Sequence, residues 1–379
     1  MTRGGLRAAS RPARPARPGP GLATVPAGPG RAASCPSPVT PLRVLVPPHI
    51  DGSPPLFGAR IHELSGPTMG TSWQVSWAGR ADADTAAVRA AIEQELDTVI
   101  AQMSTWREDS ATSRFNRAAP GSWHAVPGAM AQVLGAALQM ADWSGGAFNP
   151  AAGALVDLWG FGPAPRHTDP GFVPPSDDAV AKVLPHADWR RLHGQPDARC
   201  LLQPGGLRLD FSAIAKGHAV DAIALRLQGM GIAHALVEVG GELRGHGVRP
   251  DGQPWWVELE RPPAAADEPA LPPTRIALHG LSVATSGDYR RFFTHGPRRL
   301  PHTLDPRSGR PIAHGLASVS VVHASCMWAD AWSTALTVLG MDEGAVLARQ
   351  HGIAALFIQR RPGGSLHETL TPALEALAA

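Results

Sequence analysis

Lysine is nearly missing from this 379-residue chain: of 34 basic residues, only Lys182 and Lys216 are lysine. A chain so biased toward Arg uses Arg wherever any cation will serve. A Lys inside a motif therefore marks a place where a compact ammonium fits and a planar guanidinium does not. Tyrosine is scarcer still, Tyr289 alone against eleven Trp. Cysteine is limited to Cys35, Cys200 and Cys326, odd in number and far apart with no C-x-x-C, which argues against a disulfide framework and a thiolate metal centre. No run of 18 apolar residues occurs, so no transmembrane helix is expected. Acidic residues are missing from positions 1–50, where seven Arg, eleven Pro and six Gly accumulate. The remainder is net acidic and carries no basic stripe, so nucleic acid is not expected as a partner.

Positions 1–50 lack hydrophobic periodicity and are expected to be a disordered Pro/Arg-rich tail, so that a chain starting near Asp51 keeps its melting temperature. The rest, 44% hydrophobic over the whole chain, is large enough for one big core or two intimate ones. Thr71 to Trp77 alternates as a strand. Asp82 or Asp84 can cap a helix carrying Val88, Ile92, Leu96, Val99, Ile100 and Met103. Met130 to Ala141 marks a second helix closed by Gly145-Gly146, and a third is expected from about Ala213 to Met230. Short strands follow at 235–239, after the turn Gly240-Gly241, and at 255–260. Residues 262–274 read as a surface loop. A strand at 316–322, helices at 328–339 and 342–350 and a strand at 353–359 close the chain. Hairpin-like strands with interspersed helices indicate an α+β fold.

The chemistry concentrates late. Thr285-Ser286-Gly287 offers a turn with backbone N–H groups and hydroxyls. His302 with Asp305-Pro306 offers a proton carrier beside a carboxylate. Asp330 and Thr334, four apart on a helix, place two hard oxygens on one face. Together these point to phosphate chemistry with a hard metal ion. Ordinary roles exist for each: a helix-end charge for Asp330, a core edge for Thr334, a turn starter for Asp305-Pro306. Asp210 and Lys216 flank a helix start that Ser212 can cap, a terminus suited to a pyrophosphate, although Asp210 also reads as a plain cap. Gly240-Gly241-Glu242 reads as a structural hairpin turn.

These segments resemble the ApbE family of FAD:protein FMN transferases, once described as thiamine-biosynthesis lipoproteins. The resemblance rests on motifs in family order from about residue 62 to 360. They are Gly66-Pro67-Thr68-Met69-Gly70-Thr71, Met103-Ser104-Thr105-Trp106 with Asn116, and Gly146-Ala147-Phe148-Asn149-Pro150 with Leu158-Trp159-Gly160-Phe161-Gly162. Next come Leu209-Asp210-Phe211-Ser212-Ala213-Ile214-Ala215-Lys216-Gly217 with Asp221, Val239-Gly240-Gly241-Glu242, and the segments just described. The family more often has Tyr at the Trp106 position and Asp at the Asn149 and Glu242 positions.

The resemblance implies a T-fold-like α+β domain over 60–379, with mixed or antiparallel sheets and packed helices. It implies Mg²⁺-dependent transfer of FMN from FAD to a Thr or Ser hydroxyl of an acceptor redox flavoprotein, releasing AMP. Asp330, Thr334 and the Ala213 carbonyl would hold Mg²⁺. Met69, Trp106, Ala147, Phe148, Asn149, Asp210, Lys216, Thr285, Ser286, Gly287 and Ile312 would contact FAD. His302 would take the acceptor proton, with Asp305 orienting its ring. Two rivals stay open: an FAD pyrophosphatase giving FMN and AMP, and a non-catalytic flavin-binding protein, which would not require a metal. Many family members are exported lipoproteins of the periplasm or cell envelope, and Ala32-Ala33-Ser34-Cys35 faintly resembles a lipobox. Residues 18–30 are no apolar signal core, however, so an upstream start codon or a cytoplasmic tail is expected there and no compartment is assigned.

Overall fold

The computed structural model describes residues 42–50, 55, 57–195, 199–263, 271–361 and 363–378. Its centre is an eight-stranded sheet in the order Leu366–Leu370, Ala354–Arg360, Leu316–His323, Leu281–Gly287, Glu242–His246, Ala235–Val239, Thr71–Gly79 and Arg60–Thr68. Every neighbouring pair in it is antiparallel. Side chains alternate between two covered faces, as the pleat demands. Val75, Val237, Ala284, Val319, Val321 and Phe357 face a helical layer. Val283, Val322, Leu356 and Ile358 face the opposite core. Leu316–His323 is consequently buried along nearly its whole length, Ser318 and Ser320 included.

The helical layer contains Thr85–Met103, Gly128–Trp143, Ala215–Gly229 and Cys326–Gln350. The first begins where the Asp84 side chain accepts from the Ala87 N–H at 3.0 Å; Asp82 instead pairs with Arg80. The helices expected at 328–339 and 342–350 join as Cys326–Gln350, broken at Gly340, whose φ of 77° and ψ of −174° are not helical. No helix among the described residues is long and apolar enough to cross a membrane.

Three local expectations require correction. Thr285-Ser286-Gly287 is no turn: it ends the strand Leu281–Gly287 and pairs with Ser320, Val319 and Ser318. Its hydroxyls are satisfied inside the fold, Thr285 by Ser320 and Ser286 by Ser333 and Thr334. Ser212 does not cap the third helix: the helix starts at Ala215 with Ile214 in the cap position and no side-chain cap bond, and the Ser212 N–H donates to Asp210 Oδ1 at 2.7 Å. The surface loop expected at 262–274 stops short, since Thr274 begins the strand Thr274–Leu278; residues 264–270 lie outside the described residues.

The expected tail is corrected as well. Residues 1–41 lie outside the described residues, but Arg43–Leu45 is a strand, parallel to Thr274–Leu278. Leu45 is 0% exposed and joins Trp255, Ile276, Leu278 and Leu374 in the second core. Arg43 pairs with Glu368 at 2.8 Å. The surrounding prolines masked a short apolar segment. A buried Leu cut to Ala costs about 2–5 kcal/mol, so Leu45→Ala should lower the unfolding free energy by that amount and the urea midpoint with it. A chain starting at Asp51 should lose at least as much. An unchanged midpoint in both would show that this strand adds no stability.

Candidate active site

Two helix N-termini meet at one end of the sheet. The Ala215 and Cys326 helices approach so closely that a Cβ on Gly217 would lie 2.3 Å from the Cys326 carbonyl oxygen. Both termini carry partial positive charge and unpaired N–H groups, so their meeting requires anions. Each helix supplies one to the other. Asp330, on the second turn of the Cys326 helix, accepts from the Gly217 N–H at 3.0 Å. Asp221, on the Ala215 helix, accepts from the Cys326 and Met327 N–H groups at 3.0 Å each and from Ser325 Oγ at 2.6 Å. Arg244 pairs with Asp221.

Two tight hairpin turns lie beside this junction. Met69-Gly70 joins Thr68 to Thr71 with both residues at positive φ, 46° and 73°. A side-chain-bearing residue held there stores strain, of the kind that collects at functional sites. Gly240-Gly241 joins Val239 to Glu242, and the Gly240 N–H donates to the Ser72 carbonyl at 2.9 Å. A Cβ on Gly240 would meet Thr71 at 2.9 Å and Lys216 Cδ at 3.3 Å, so the glycine leaves room for the lysine stem.

Lys216 ends between two carboxylates. Its ammonium pairs with Glu242 Oε1 and stands 3.9 Å from Asp330 Oδ1. Glu242 is 4% exposed and Asp330 2%. Burial raises Glu242 above the usual carboxylate range, Lys216 opposes it and the Asp330 charge adds to it. Burial likewise raises Asp330, against the Lys216 charge and the Gly217 N–H. Burial works to discharge Lys216 as well, but the two carboxylates outweigh it and hold the ammonium above its usual range. Glu242 Oε2 is buried without a hydrogen-bond partner.

The donor set fits a hard cation. Asp330 and Glu242 offer carboxylate oxygens, and Thr334 offers a hydroxyl that Ser286 Oγ reaches at 3.2 Å. The Ala213 carbonyl, just before the helix start, accepts no hydrogen bond from any described residue. Among the described residues no three His, Cys, Asp or Glu side chains form a self-sufficient metal cluster. Two carboxylates with neutral oxygens suit Mg²⁺, which keeps waters and shares substrate phosphates.

His302 follows the strand Arg298–Pro301, which pairs with Phe292–His295. Its Nδ1 lies 3.1 Å from the Arg291 carbonyl, which can only accept, so Nδ1 carries the proton and Nε2 is left as the base. Burial pulls this imidazole down to about 4; the bond to Arg291 offsets part of that, and the charges of Arg291 and Lys216 add to the depression. His302 is therefore neutral at pH 7. Phe161 stands edge-on to the ring at 6.2 Å, and Trp159 Nε1 donates to the Gly309 carbonyl at 2.8 Å, so the Leu158–Gly162 motif positions this loop.

Asp305 does not orient His302. Its carboxylate accepts from Arg307 N at 2.9 Å and from Nε and Nη2 at 3.0 Å each, and it starts the turn closed by Gly309. A guanidinium two residues away gives a bidentate partner that the imidazole cannot match.

The remaining predicted positions have partners of their own. Asn116 grips the Leu209 backbone twice, at 2.7 and 2.9 Å, and the Asp210 N–H donates to Pro150. Ala147 and Phe148 are buried, while the Asn149 side chain is engaged with Ala187 and Ala151. Ile312 is buried and donates its N–H to Thr303. Trp106 is 53% exposed, with the Arg166 guanidinium 5.0 Å from its ring. Glu242, Arg291 and the Phe161 support escaped the sequence reading. For Glu242 the chain offers no local signal, because the glycine pair before it already accounts for the turn.

This is an α+β domain built on an antiparallel eight-stranded sheet, the architecture of a transferase class. The sequence model of the ApbE family matches residues 69–357, and the chain belongs to that family. It is 36% identical over 303 residues to the FAD:protein FMN transferase of Vibrio cholerae, covering 79% of this chain and 88% of that protein. With the protein of the same name from Escherichia coli K12 it shares 33% over 311 residues, 82% and 87% of the two chains. Among solved structures, the apo flavinyl transferase ApbE of Pseudomonas stutzeri superposes with a TM-score of 0.76 at 37% identity, covering 85% of this chain and 98% of that one. The Vibrio cholerae flavin transferase ApbE gives 0.75 at 34%, covering 84% and 99%.

The helix junction has a direct test. Gly217→Ala forces the two N-termini apart, and overpacking of this kind costs about 1–3 kcal/mol. Guanidinium unfolding should register that loss. A neutral Gly217→Ala would mean that the close approach carries no constraint.

Proposed function

We propose that this chain transfers the FMN part of FAD to a Thr or Ser hydroxyl of an acceptor redox flavoprotein, with AMP leaving. The observation that carries the reading is the hard-oxygen pocket at two helix N-termini beside a neutral imidazole. Family membership adds the substrate.

FAD would bring its pyrophosphate to the exposed end of the sheet, where Lys216 and Arg291 supply positive charge. Trp106 offers an exposed indole face for a ring of the dinucleotide, with Arg166 beside it. Asp330, Thr334 and the Ala213 carbonyl would hold Mg²⁺. The bound ion would neutralise charge on the pyrophosphate oxygens. His302 Nε2 would take the proton as the acceptor oxygen bonds to the FMN-side phosphorus. The bond from that phosphorus to the bridging oxygen breaks, and AMP departs with the electron pair. Asp305 would act at a distance, fixing through Arg307 the turn that follows His302.

The experiment is to incubate the purified protein with FAD, Mg²⁺ and an acceptor flavoprotein, following AMP release and covalent flavin fluorescence on a denaturing gel. AMP without an acceptor identifies a pyrophosphatase; no AMP in either case identifies a flavin carrier.

Asp330→Asn keeps the size of the side chain and an acceptor for the Gly217 N–H, so the protein should stay folded. Its Mg²⁺ requirement should rise at least about tenfold, with most transfer lost. Transfer at wild-type Mg²⁺ would remove Asp330 from the cation site.

His302→Asn should bind FAD normally and lose about a hundredfold or more in transfer rate. Because burial depresses the imidazole, it remains a base as pH falls through 6.5. The acid limb of kcat/KM should then lie below pH 6.5, toward 4. A limb at or above 6.5 would assign the proton to another group.

A further inference from the structure

Lys216 stands where a cation belongs. Its ammonium pairs with Glu242 Oε1 and lies 3.9 Å from Asp330 Oδ1, and those are the two buried carboxylates of the pocket. The second Glu242 oxygen, Oε2, is buried without a partner, so the ammonium leaves one strong acceptor unused. The Lys216 side chain is 28% exposed, so part of its length meets solvent although its ammonium is held between the carboxylates. A Cβ on Gly240 would come within 3.3 Å of Lys216 Cδ, so the glycine keeps the space beside the lysine stem open.

We propose that Lys216 is a resident counter-ion of the cation pocket, that its ammonium and a divalent metal ion compete for Glu242 and Asp330, and that a pyrophosphate ligand releases the pocket by drawing the ammonium outward. This rests on the cation assignment made above and adds Glu242 to it. Two carboxylates and one ammonium leave the pocket with one net negative charge. A divalent ion added beside the ammonium makes it net positive, which is unfavourable in a buried site. A pyrophosphate restores the balance by offering Lys216 a new anionic partner. Cation and dinucleotide must then bind cooperatively, each improving the affinity of the other by the same factor.

The scarcity of lysine makes the idea directly observable. In protein labelled with ¹³C-lysine, only Lys182, which is exposed, and Lys216 give side-chain signals. Inorganic pyrophosphate with Mg²⁺ should shift the Lys216 Cε resonance and leave Lys182 in place, whereas Mg²⁺ alone at equal concentration should leave both. A Lys216 signal that moves as far with Mg²⁺ alone, or with neither addition, overturns the coupling.

Affinity provides an independent test on the nucleotide-free protein, with Mn²⁺ as the probe and its electron paramagnetic resonance as the readout. Lys216→Met should bind Mn²⁺ about ten times more tightly than wild type, within the usual range of coupling between sites. Lys216→Gln, which keeps a polar group near Glu242, should behave alike and serves if the Met variant is poorly folded. Adding Glu242→Gln to either should abolish most of the gain; a double variant as tight as the single one excludes Glu242. No gain in either single variant overturns the competition. If Asp330→Asn leaves Mn²⁺ affinity untouched in the Lys216→Met protein, the cation assignment itself fails, a separate outcome from failure of the Lys216 role.

Discussion

Pressing two helix N-termini together is unfavourable unless something negative lies between them, and the architecture at this end of the sheet answers that single requirement. At Gly217 and Cys326 the backbones touch. Asp330 and Asp221 cross over, each satisfying N–H groups of the opposite helix. Once one carboxylate must be present and buried, the rest follows from charge. Asp330 needs a counter-ion, Lys216 supplies it, and Glu242 shares the same ammonium. A site suited to an anionic substrate and a hard cation is thus a consequence of how the two helices are docked.

The same requirement explains the choice of residue types. An Arg in place of Lys216 would bring a wide planar fork into the space beside the Gly240 turn, and it would hold the carboxylates in a fixed geometry. An ammonium on a flexible stem can leave. Arg is used where permanence is wanted, as in the Arg307 clamp on Asp305 and the Arg244 pair with Asp221. The proposed release of Lys216 would give the contrast between two lysines and 32 arginines a functional reason at that position.

Much of this was legible in the sequence, for physical reasons that can be named. Asp330 and Thr334 stood out because helical spacing puts residues four apart on one face, and nothing in the tertiary structure overrides that. A cap at Asp82 or Asp84 and a strand at 316–322 were legible because caps and β-branched residues leave local signatures; Asp84 is the cap, and the strand runs one residue further, to His323. Glu242 was hidden because its glycine pair already accounted for the turn, and only the third dimension brings it to Lys216. Asp305 was misjudged because proximity to His302 along the chain suggested a pair, while Arg307 was nearer and better shaped. Thr285-Ser286-Gly287 resembled a turn because its residues favour turns. Inside the sheet, their hydroxyls bond to Ser320, Ser333 and Thr334 and lose that preference. Leu45 disappeared among prolines, since three residues of strand are too short for alternation to register.

The break at Gly340 divides the longest helix into two unequal segments. Asp330 and Thr334 belong to the first, which is fixed against the Ala215 helix. Glu343 belongs to the second, and Arg307 ties it to the hairpin that begins just after His302. A single backbone break and one ion pair thus link the segment carrying Asp330 and Thr334 to the turn after His302, and Ala345 and Ala348 hold the second segment in the same buried core as the first.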